Sequence, residues 1–185
     1  MTRRIGPCPC GSGKMYKRCC GAIEEQKAIN TSQTNKIYYH ATSMTFGNNI
    51  IPPGNWWRIV QRYVNPDVGE LKKLIIEQTF EKIRLQYYPE KPSRQKSVFL
   101  FEEIEPAREF IKEFKRQQDS IYEVEIINKN CKFHKGHIKA VDTPKPELPF
   151  ITTLEQIAKI YWECSQTEFA EIIVESPVKI VKKCE

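Results

Sequence analysis

The chain has 185 residues and a formal net charge of +6, with 40% hydrophobic and 28% charged residues. This is the composition of an ordinary soluble globular protein, long enough for one full domain and a small appendage. We see no apolar run of the ~18 residues that a membrane-spanning helix needs, and no secretory signal. We therefore expect a cytoplasmic protein without membrane contact, in which clustered cysteines bind metal more often than they form disulfides.

The first feature along the chain is a cysteine cluster in the stretch GPCPCGSGKMYKRCCG. Glycine and serine between the two cysteine pairs permit a tight turn, so that four thiolates can reach one tetrahedral zinc ion. A segment this short cannot bury a core, and structural zinc supplies roughly 10–16 kcal/mol in peptide sites. The predicted ligands of a structural Zn²⁺ are Cys8, Cys10, Cys19 and Cys20.

The same stretch resembles the SEC-C motif, a small zinc-binding knuckle with the pattern C-x-C-x-S-G, a short basic stretch and then C-C or C-H. In that family the four ligand positions correspond to the four cysteines named above. Residues 1–22 contain five basic side chains and no acidic one, so the knuckle stays positive with zinc bound. The expected partners are nucleic acid, a ribosome or an acidic protein surface. The alternative is that the knuckle only caps the fold.

A polar linker over residues 23–35 leads to the main domain, residues 36–185. Apolar periodicity predicts three helices, in DVGELKKLIIEQTFEKIRLQYY, EPAREFIKEFKRQ and TTLEQIAKIYWECS. Alternation and turn signals predict strands before, between and after them: one each in KIYYHAT, KSVFLFEE and SIYEVEIINK, and two in FAEIIVESPVKIVKK. The stretch NNIIPPGNWW is expected to lack regular structure. This order of short strands and helices predicts a compact α+β domain.

Two groups of histidines are candidates for chemistry. His40, at the end of the first predicted strand, can present its imidazole beside the hydroxyl of Thr42; a partly buried structural histidine is the alternative. His134 and His137 follow Cys131 in CKFHKGHIK. These three residues form either a metal site or, the more frequent outcome for such a run, solvated loop residues.

The stretches YYHATS, PSRQKSVFLFEE, SIYEVEI and EFAEIIVESPVKIV together resemble the ADP-ribosyltransferase-like fold. The last stretch is also similar to the closing signature of DarT-related members, and the motifs PSR and YW resemble an uncharacterised bacterial family allied to that fold. The resemblance implies NAD as cofactor. It implies that Glu171 stabilises the positive charge that develops on the ribose, and that His40 holds the adenosine ribose.

The resemblance also implies contacts around the nicotinamide. Thr42 or the backbone near it would hold the amide, Tyr122 or Phe99 would stack on the ring, and Ser97 would support Glu171. Two departures from the family pattern are Ala41 in place of a glycine, and Phe169 in place of a second carboxylate. An edge-strand carboxylate facing solvent is the alternative for Glu171.

Three interpretations of the whole chain follow. The first is an NAD-dependent ADP-ribosyltransferase-like protein that acts on a nucleic acid or protein, with the zinc knuckle as targeting module. The second is a non-catalytic binding or adaptor protein that recognises nucleic acid, ribosome or protein. The third is a structural protein in which zinc only stabilises the fold. Trp56 and Trp57, after the first strand, are either stacking residues of a lid or core anchors.

Overall fold

The computed structural model describes most of the main domain and three residues of the N-terminal stretch. The described residues are 10, 15–16, 36–137, 149–163 and 170–184. The chain divides into two compact units, Met1–Lys36 and Ile37–Glu185. Of the predicted zinc ligands, Cys10 is described, with an exposed side chain, whereas Cys8, Cys19, Cys20 and the linker lie outside the described residues. The zinc site therefore stays a prediction.

The described part of the main domain contains four α-helices, one short 3₁₀ helix and seven strands. The helices are α1 (Asn55–Val60), α2 (Val68–Tyr87), α3 (Ile104–Glu113) and α4 (Phe150–Glu163), and the 3₁₀ helix covers Arg94–Lys96. The strands are β1 (Tyr38–Thr42), β2 (Ile50–Ile51), β3 (Val98–Leu100), β4 (Ser120–Ile126), β5 (Phe133–His137), β6 (Ala170–Val174) and β7 (Val178–Lys183). None of these helices combines the length and the apolar character needed to cross a membrane.

The strands form two antiparallel sheets. The first sheet has the order β1-β4-β7-β2, and the second has the order β3-β6-β5. The sheets meet where the main chain of Tyr39 exchanges two hydrogen bonds, of 2.9 and 2.8 Å, with that of Phe101. Helices packed on antiparallel sheets are typical of the α+β class, so the predicted fold class is confirmed.

The buried side chains form three clusters. The first joins residues of both sheets and includes Tyr38 and Ile172. The second packs α2 and α4 against the second sheet, around Phe80 and Ile173, and the third packs α3 through Ala107. Because successive strand residues point to opposite faces, neighbouring residues of β6 enter different clusters. All five residues of β6 are buried, so this strand lies at the centre of the domain.

The helix α2 begins at a complete capping box. The side chain of Asp67 accepts a hydrogen bond of 2.8 Å from the amide of Glu70, and the Glu70 carboxylate accepts one of 3.2 Å from the amide of Asp67. These two bonds satisfy amides that the first turn of a helix leaves without partners. Among the apolar residues of this helix, Phe80 and Ile83 are buried, whereas Leu71, in the first turn, is 43% exposed.

The prediction that NNIIPPGNWW lacks regular structure is wrong at two points. Ile50–Ile51 forms β2, and α1 begins at Asn55. The turn between them is as expected, because Gly54 has a φ of 74°, in the left-handed region that favours glycine. A Cβ at this position would also come within 2.9 Å of the Gln95 carbonyl oxygen. The proline and glycine residues therefore separate two short elements rather than abolish both.

Sequence patterns missed β5 because its buried residues are not apolar. Alternate residues of this strand are buried, but the two that point inward are His134 and Gly136. The alternation of a strand is therefore present, although a hydrophobicity pattern does not detect it. The interpretation of His134 as a solvated loop residue is wrong, because it lies in a strand and is 6% exposed.

Candidate functional site

Three buried residues from three elements surround the guanidinium of Arg94. We call the four residues the Arg94 cluster: Arg94, Glu77, Glu171 and Tyr161. Arg94 donates to both carboxylate oxygens of Glu77, at 3.1 and 3.0 Å, and also donates to Glu171. The exposed fractions of Arg94, Glu77 and Glu171 are 6%, 4% and 2%. Charges at this depth are tolerated only when they are paired. With both carboxylates ionised, the cluster carries one negative charge in excess.

Aromatic rings enclose the guanidinium on several sides. The Cζ atom of Arg94 lies 5.4 Å from the ring centre of Phe80, 4.8 Å from that of Phe99 and 4.9 Å from that of Tyr161. Such distances permit cation–π attraction. Burial alone would lower the pKa of Arg94, but the two carboxylates more than offset this effect and hold the pKa well above its ordinary value. Arg94 is therefore a permanent cation in the core.

Glu171 is held by a second donor from α4. The hydroxyl of Tyr161 donates to Glu171 at 2.7 Å. Gly136 pairs opposite Glu171 on the neighbouring strand, and a Cβ at this glycine would overlap the Tyr161 ring. Burial raises the pKa of Tyr161 well above its ordinary value, although Arg94 partly opposes this effect. The residue predicted to be catalytic is thus a buried acceptor with two donors already in place.

Ser93, the residue before Arg94, connects the turn that carries Arg94 to α2 and to the end of β6. Its amide donates to Glu175 at 2.7 Å, and its hydroxyl donates to Glu81 at 2.9 Å. Glu81 lies one helical turn beyond Glu77, and Glu175 lies four residues beyond Glu171. Both spacings keep the paired residues on one face of their element. Four carboxylates therefore hold this turn in place: two from α2, one from β6 and one from the residue that follows β6.

Ser97 and Thr42, two predicted cofactor contacts, bind nearby main-chain groups. The hydroxyl of Ser97 donates to the Ser93 carbonyl at 2.6 Å, and the hydroxyl of Thr42 accepts from the Met44 amide at 3.1 Å. The two residues are 1% and 5% exposed. Local bonds of this kind shape turns. Ser97 therefore donates to the turn before it rather than to Glu171, its predicted partner.

His40 occupies a separate position in β1. Its Nδ1 lies 2.8 Å from the carbonyl oxygen of Phe99. A carbonyl only accepts, so Nδ1 carries the proton and Nε2 is left as an acceptor. Burial lowers the pKa of His40, against the opposing effect of the Phe99 carbonyl, so the ring is neutral at pH 7. Tyr122 lies opposite His40 on β4, and the two side chains share one face.

His134 closes the last turn of α4. Its Nε2 donates to the carbonyl of Tyr161 at 2.9 Å, and its Nδ1 accepts from Lys91 at 3.4 Å. Lys91 also donates to the carbonyl of Trp162, so both side chains satisfy carbonyls that a helix end leaves unpaired. Burial and the charge of Lys91 lower the pKa of His134 to about 3. Within the described ranges, no group of three or more His, Cys, Asp or Glu residues is arranged to hold a metal ion.

The tryptophans after β1 are partly buried. Trp56 of α1 donates from Nε1 to Glu77 at 3.1 Å, so it connects this helix to the Arg94 cluster. A shallow groove lies beside β2. It is lined by Thr45, Phe46, Gly47, Asn48, Ile50 and Pro52. None of the predicted site residues lines this groove.

Sequence reasoning placed Glu171 and His40 in one site and missed the partners that Glu171 has. Arg94 and Tyr161 appear in the motifs PSR and YW, but the resemblance alone drew attention to them. Glu77 gave a usable signal: it lies three residues before Phe80 on the buried side of a predicted helix. A carboxylate at such a position requires a buried cation.

Comparisons with known proteins support the prediction of a SEC-C motif near the N-terminus. A model for a protein of unknown function (DUF2441) matches residues 15–185, and a model for the SEC-C motif matches residues 7–22. The chain is 68% identical over 25 residues to the protein translocase subunit SecA of Desulforudis audaxviator and 70% identical over 27 residues to that of Hyphomonas neptunium. These matches cover 14% and 15% of this chain but 3% of each SecA chain. The predicted SEC-C motif is confirmed, and neither matching model names an ADP-ribosyltransferase.

Proposed function

The chain belongs to the DUF2441 family of proteins of unknown function and carries a SEC-C motif, and from this premise we propose that it is a zinc-dependent binding protein. Its SEC-C motif binds one Zn²⁺ through Cys8, Cys10, Cys19 and Cys20 and docks the DUF2441 domain on a negatively charged partner, either nucleic acid or an acidic protein surface. The observation that carries the proposal is the match of residues 7–22 to the SEC-C motif, with all four cysteines in position.

The distribution of charge supports a docking role for the N-terminal stretch. Residues 1–22 contribute +5 of the formal net charge of +6, which leaves +1 for the remaining 163 residues (185 − 22). A concentrated positive charge attracts anionic surfaces and raises the rate of encounter. The larger part of the chain is almost neutral in net charge. The basic motif is therefore the part of this chain suited to an anionic partner.

Zinc content tests the ligand assignment. Elemental analysis of the purified protein is expected to give about one zinc per chain, since four thiolates close a structural site. Replacing Cys19 and Cys20 with serine should remove the metal, whereas Cys184→Ser, a matched cysteine change outside the motif, should leave it. Zinc content that does not change when both cysteines are replaced would show that the ligands lie elsewhere.

Salt dependence tests the partner. Binding to RNA, DNA or an acidic protein should weaken steeply with salt if lysine and arginine contacts carry it. Alanine at Lys14, Lys17 and Arg18 should reduce both the affinity and the salt slope. The control is alanine at Lys72 and Lys73, two exposed lysines of α2. Equal loss in both variants would indicate general electrostatic attraction and would contradict a specific role for the motif.

The ADP-ribosyltransferase-like activity is a second candidate function, and strand order is the observation that favours it. β1, with His40, pairs through Tyr39 with Phe101, the residue that follows β3, and β3 pairs directly with β6, which carries Glu171. The two residues that the resemblance assigns to catalysis therefore lie on strands separated by one strand. Against this activity stand the burial of Glu171 and its two donors.

NAD⁺ distinguishes the two candidates. An NAD⁺-using enzyme should gain thermal stability from the cofactor by mass action and should transfer or hydrolyse labelled NAD⁺. In that case Glu171→Gln should reduce turnover far more than affinity, because its contribution arises in the transition state. His40→Ala should mainly weaken cofactor binding. A wild-type protein that neither binds nor consumes NAD⁺ would eliminate the enzymatic candidate and leave the zinc-dependent docking role untouched.

A further inference from the structure

The helix α1 is held to the domain by few interactions. Val60 is the one residue of this six-residue helix that is buried. The Trp56 side chain donates to Glu77 at 3.1 Å, and the amide of Gly54, just before the helix, donates to the Ser97 carbonyl at 3.0 Å. Segments with little buried apolar surface open locally at a small fraction of the free energy of global unfolding. On these contacts, α1 belongs to the low-stability part of the domain.

Two residues with positive φ bracket this helix. Gly54 has a φ of 74° and Asn65 has a φ of 50°, and the chain changes direction at both. Between them, Ile59 is 41% exposed and Val64 is 84% exposed. These apolar side chains bury little surface in the closed arrangement, so they contribute little to keeping it closed. The segment from residue 54 to residue 65 is therefore a short helix between two turns. It is attached to the domain chiefly through Trp56 and Val60, with one exposed contact of 2.9 Å from the Asn55 side-chain amide to the Met44 sulfur.

The closed position of α1 places Trp56 against the Arg94 cluster. The Glu77 oxygen that accepts from Trp56 also accepts from Arg94. Glu77 is 4% exposed and Arg94 is 6% exposed, so burial of this side of the cluster involves the tryptophan. If α1 moves away, the Glu77 carboxylate gains access to water and Arg94 loses part of its cover.

We propose that residues 54–65, the α1 flap, open as one unit that turns about Gly54 and Asn65. The Trp56–Glu77 hydrogen bond holds the flap closed, and opening exposes the Glu77 side of the Arg94 cluster to solvent. The device requires neither zinc nor NAD⁺. Its test therefore succeeds or fails independently of both candidate functions.

Hydrogen exchange of the full-length protein measures the opening. The amides of Arg58 and Gln61 are bonded to the carbonyls of Gly54 and Trp57, within the flap itself. Because a helix of six residues is unstable once it leaves the domain, these amides should exchange at least about 100-fold faster than protected amides of β6. Their exchange should depend little on added denaturant, as expected for a local opening that exposes little surface. Exchange of the α1 amides at the rate and denaturant dependence of the β6 amides would overturn the proposal, because it would mean that α1 opens only on global unfolding.

Matched tryptophan variants test whether the Trp56–Glu77 hydrogen bond holds the flap closed. Trp56→Phe removes the hydrogen bond, which is expected to raise the opening constant of the α1 amides about five-fold and to leave the β6 amides unchanged. Trp57→Phe makes the same change one residue away and keeps the bond to Glu77, so it should have no such effect. Equal effects of the two variants, or an equal increase in the opening constant of the β6 amides, would contradict the role of Trp56 in holding the flap closed.

Arginine modification tests whether the flap covers the cluster. With phenylglyoxal and mass spectrometry, Arg94 of the wild-type protein should react far more slowly than the exposed Arg62. Trp56→Phe should raise the rate at Arg94 about five-fold, in step with the α1 amides, and leave the rate at Arg62 unchanged. A rate at Arg94 that does not follow the α1 amides would show that the flap opens without exposing the cluster, and would overturn that part of the proposal.

Discussion

Replacing Arg94 with methionine is expected to destabilise the domain by about 3–5 kcal/mol, the range for breaking a buried ion pair by removing one partner. Methionine is unbranched and apolar, but its side chain ends near the position of the arginine Nε, so it lacks the guanidinium that lies against Phe80, Phe99 and Tyr161. The expected loss is therefore mainly electrostatic, with a smaller contribution from the space that the guanidinium leaves. Without the guanidinium, two carboxylates that are 4% and 2% exposed face each other with no cation between them.

The size of the effect should depend on which charge is removed. Glu171→Gln leaves Arg94 paired with both oxygens of Glu77, so it should cost less, about 1.5–3 kcal/mol for a hydrogen bond to a charged group. The variant that combines Arg94→Met with Glu171→Gln should be more stable than the sum of the two single effects predicts. Without Arg94, the loss of the Glu171 charge removes a buried carboxylate that no longer has its cation. A domain of this size has about 5–15 kcal/mol of total stability, so Arg94→Met removes a large part of it.

Urea unfolding followed by circular dichroism measures these differences. Arg62→Met is the matched control, because this arginine lies on an exposed turn, where a change of about 0.5 kcal/mol or less is expected. If Arg94→Met shifts the free energy of unfolding no more than this control, the Arg94 cluster does not stabilise the domain as argued. If Glu171→Gln costs more than Arg94→Met, the excess of negative charge has been assigned wrongly.

Three more predictions concern stability and use the same unfolding assay. Gly136→Ala should destabilise by about 1–3 kcal/mol or more, since the new Cβ overlaps the Tyr161 ring; a neutral change would contradict the contact. His134 has a pKa of about 3 in the folded protein against an ordinary value of 6.5, so between these values the unfolded chain binds a proton that the folded protein does not. Stability should fall as pH is lowered from 6.5 towards 3, by up to about 1.4 kcal/mol per pH unit from this group, and His134→Gln should show a shallower fall than the wild type. Asp67→Ala should cost about 1 kcal/mol by removing the cap of α2, and Asp67→Ser should recover most of that loss.

Much of the fold could be predicted from local sequence signals. The helices α2, α3 and α4 have apolar periodicity over ten or more residues, and Asp67 with Glu70 marks one helix start by a mechanism that acts within four residues. β1 and β4 have alternating patterns rich in β-formers. Such elements are determined by nearby residues, so the α+β class follows from the sequence without knowledge of the tertiary contacts.

The missed elements depend on contacts that are distant in sequence. β5 is a strand because His134 and Gly136 fit against α4. The hydrophobicity pattern of its own five residues does not predict this contact. In the same way, the role of Glu171 depends on Arg94 and Tyr161, which come from other elements. A carboxylate at the head of an apolar strand is compatible with catalysis or with a buried ion pair, and only its neighbours in space distinguish the two. Of the Arg94 cluster, the sequence therefore identified Glu171 as a candidate but not the three residues around it.

The pairing of β2 with β7 has a consequence for folding kinetics. Ile50 and Ile51 lie near the start of the domain, and their partners Lys179 and Val178 lie near its end. The first sheet is therefore complete only after a very long loop has closed, and contacts of such sequence separation slow folding. Before β7 docks, β4 has one unpaired edge, which exposes main-chain groups to strands of other molecules. Refolding at high protein concentration should therefore produce aggregates by edge pairing, in competition with the docking of β7.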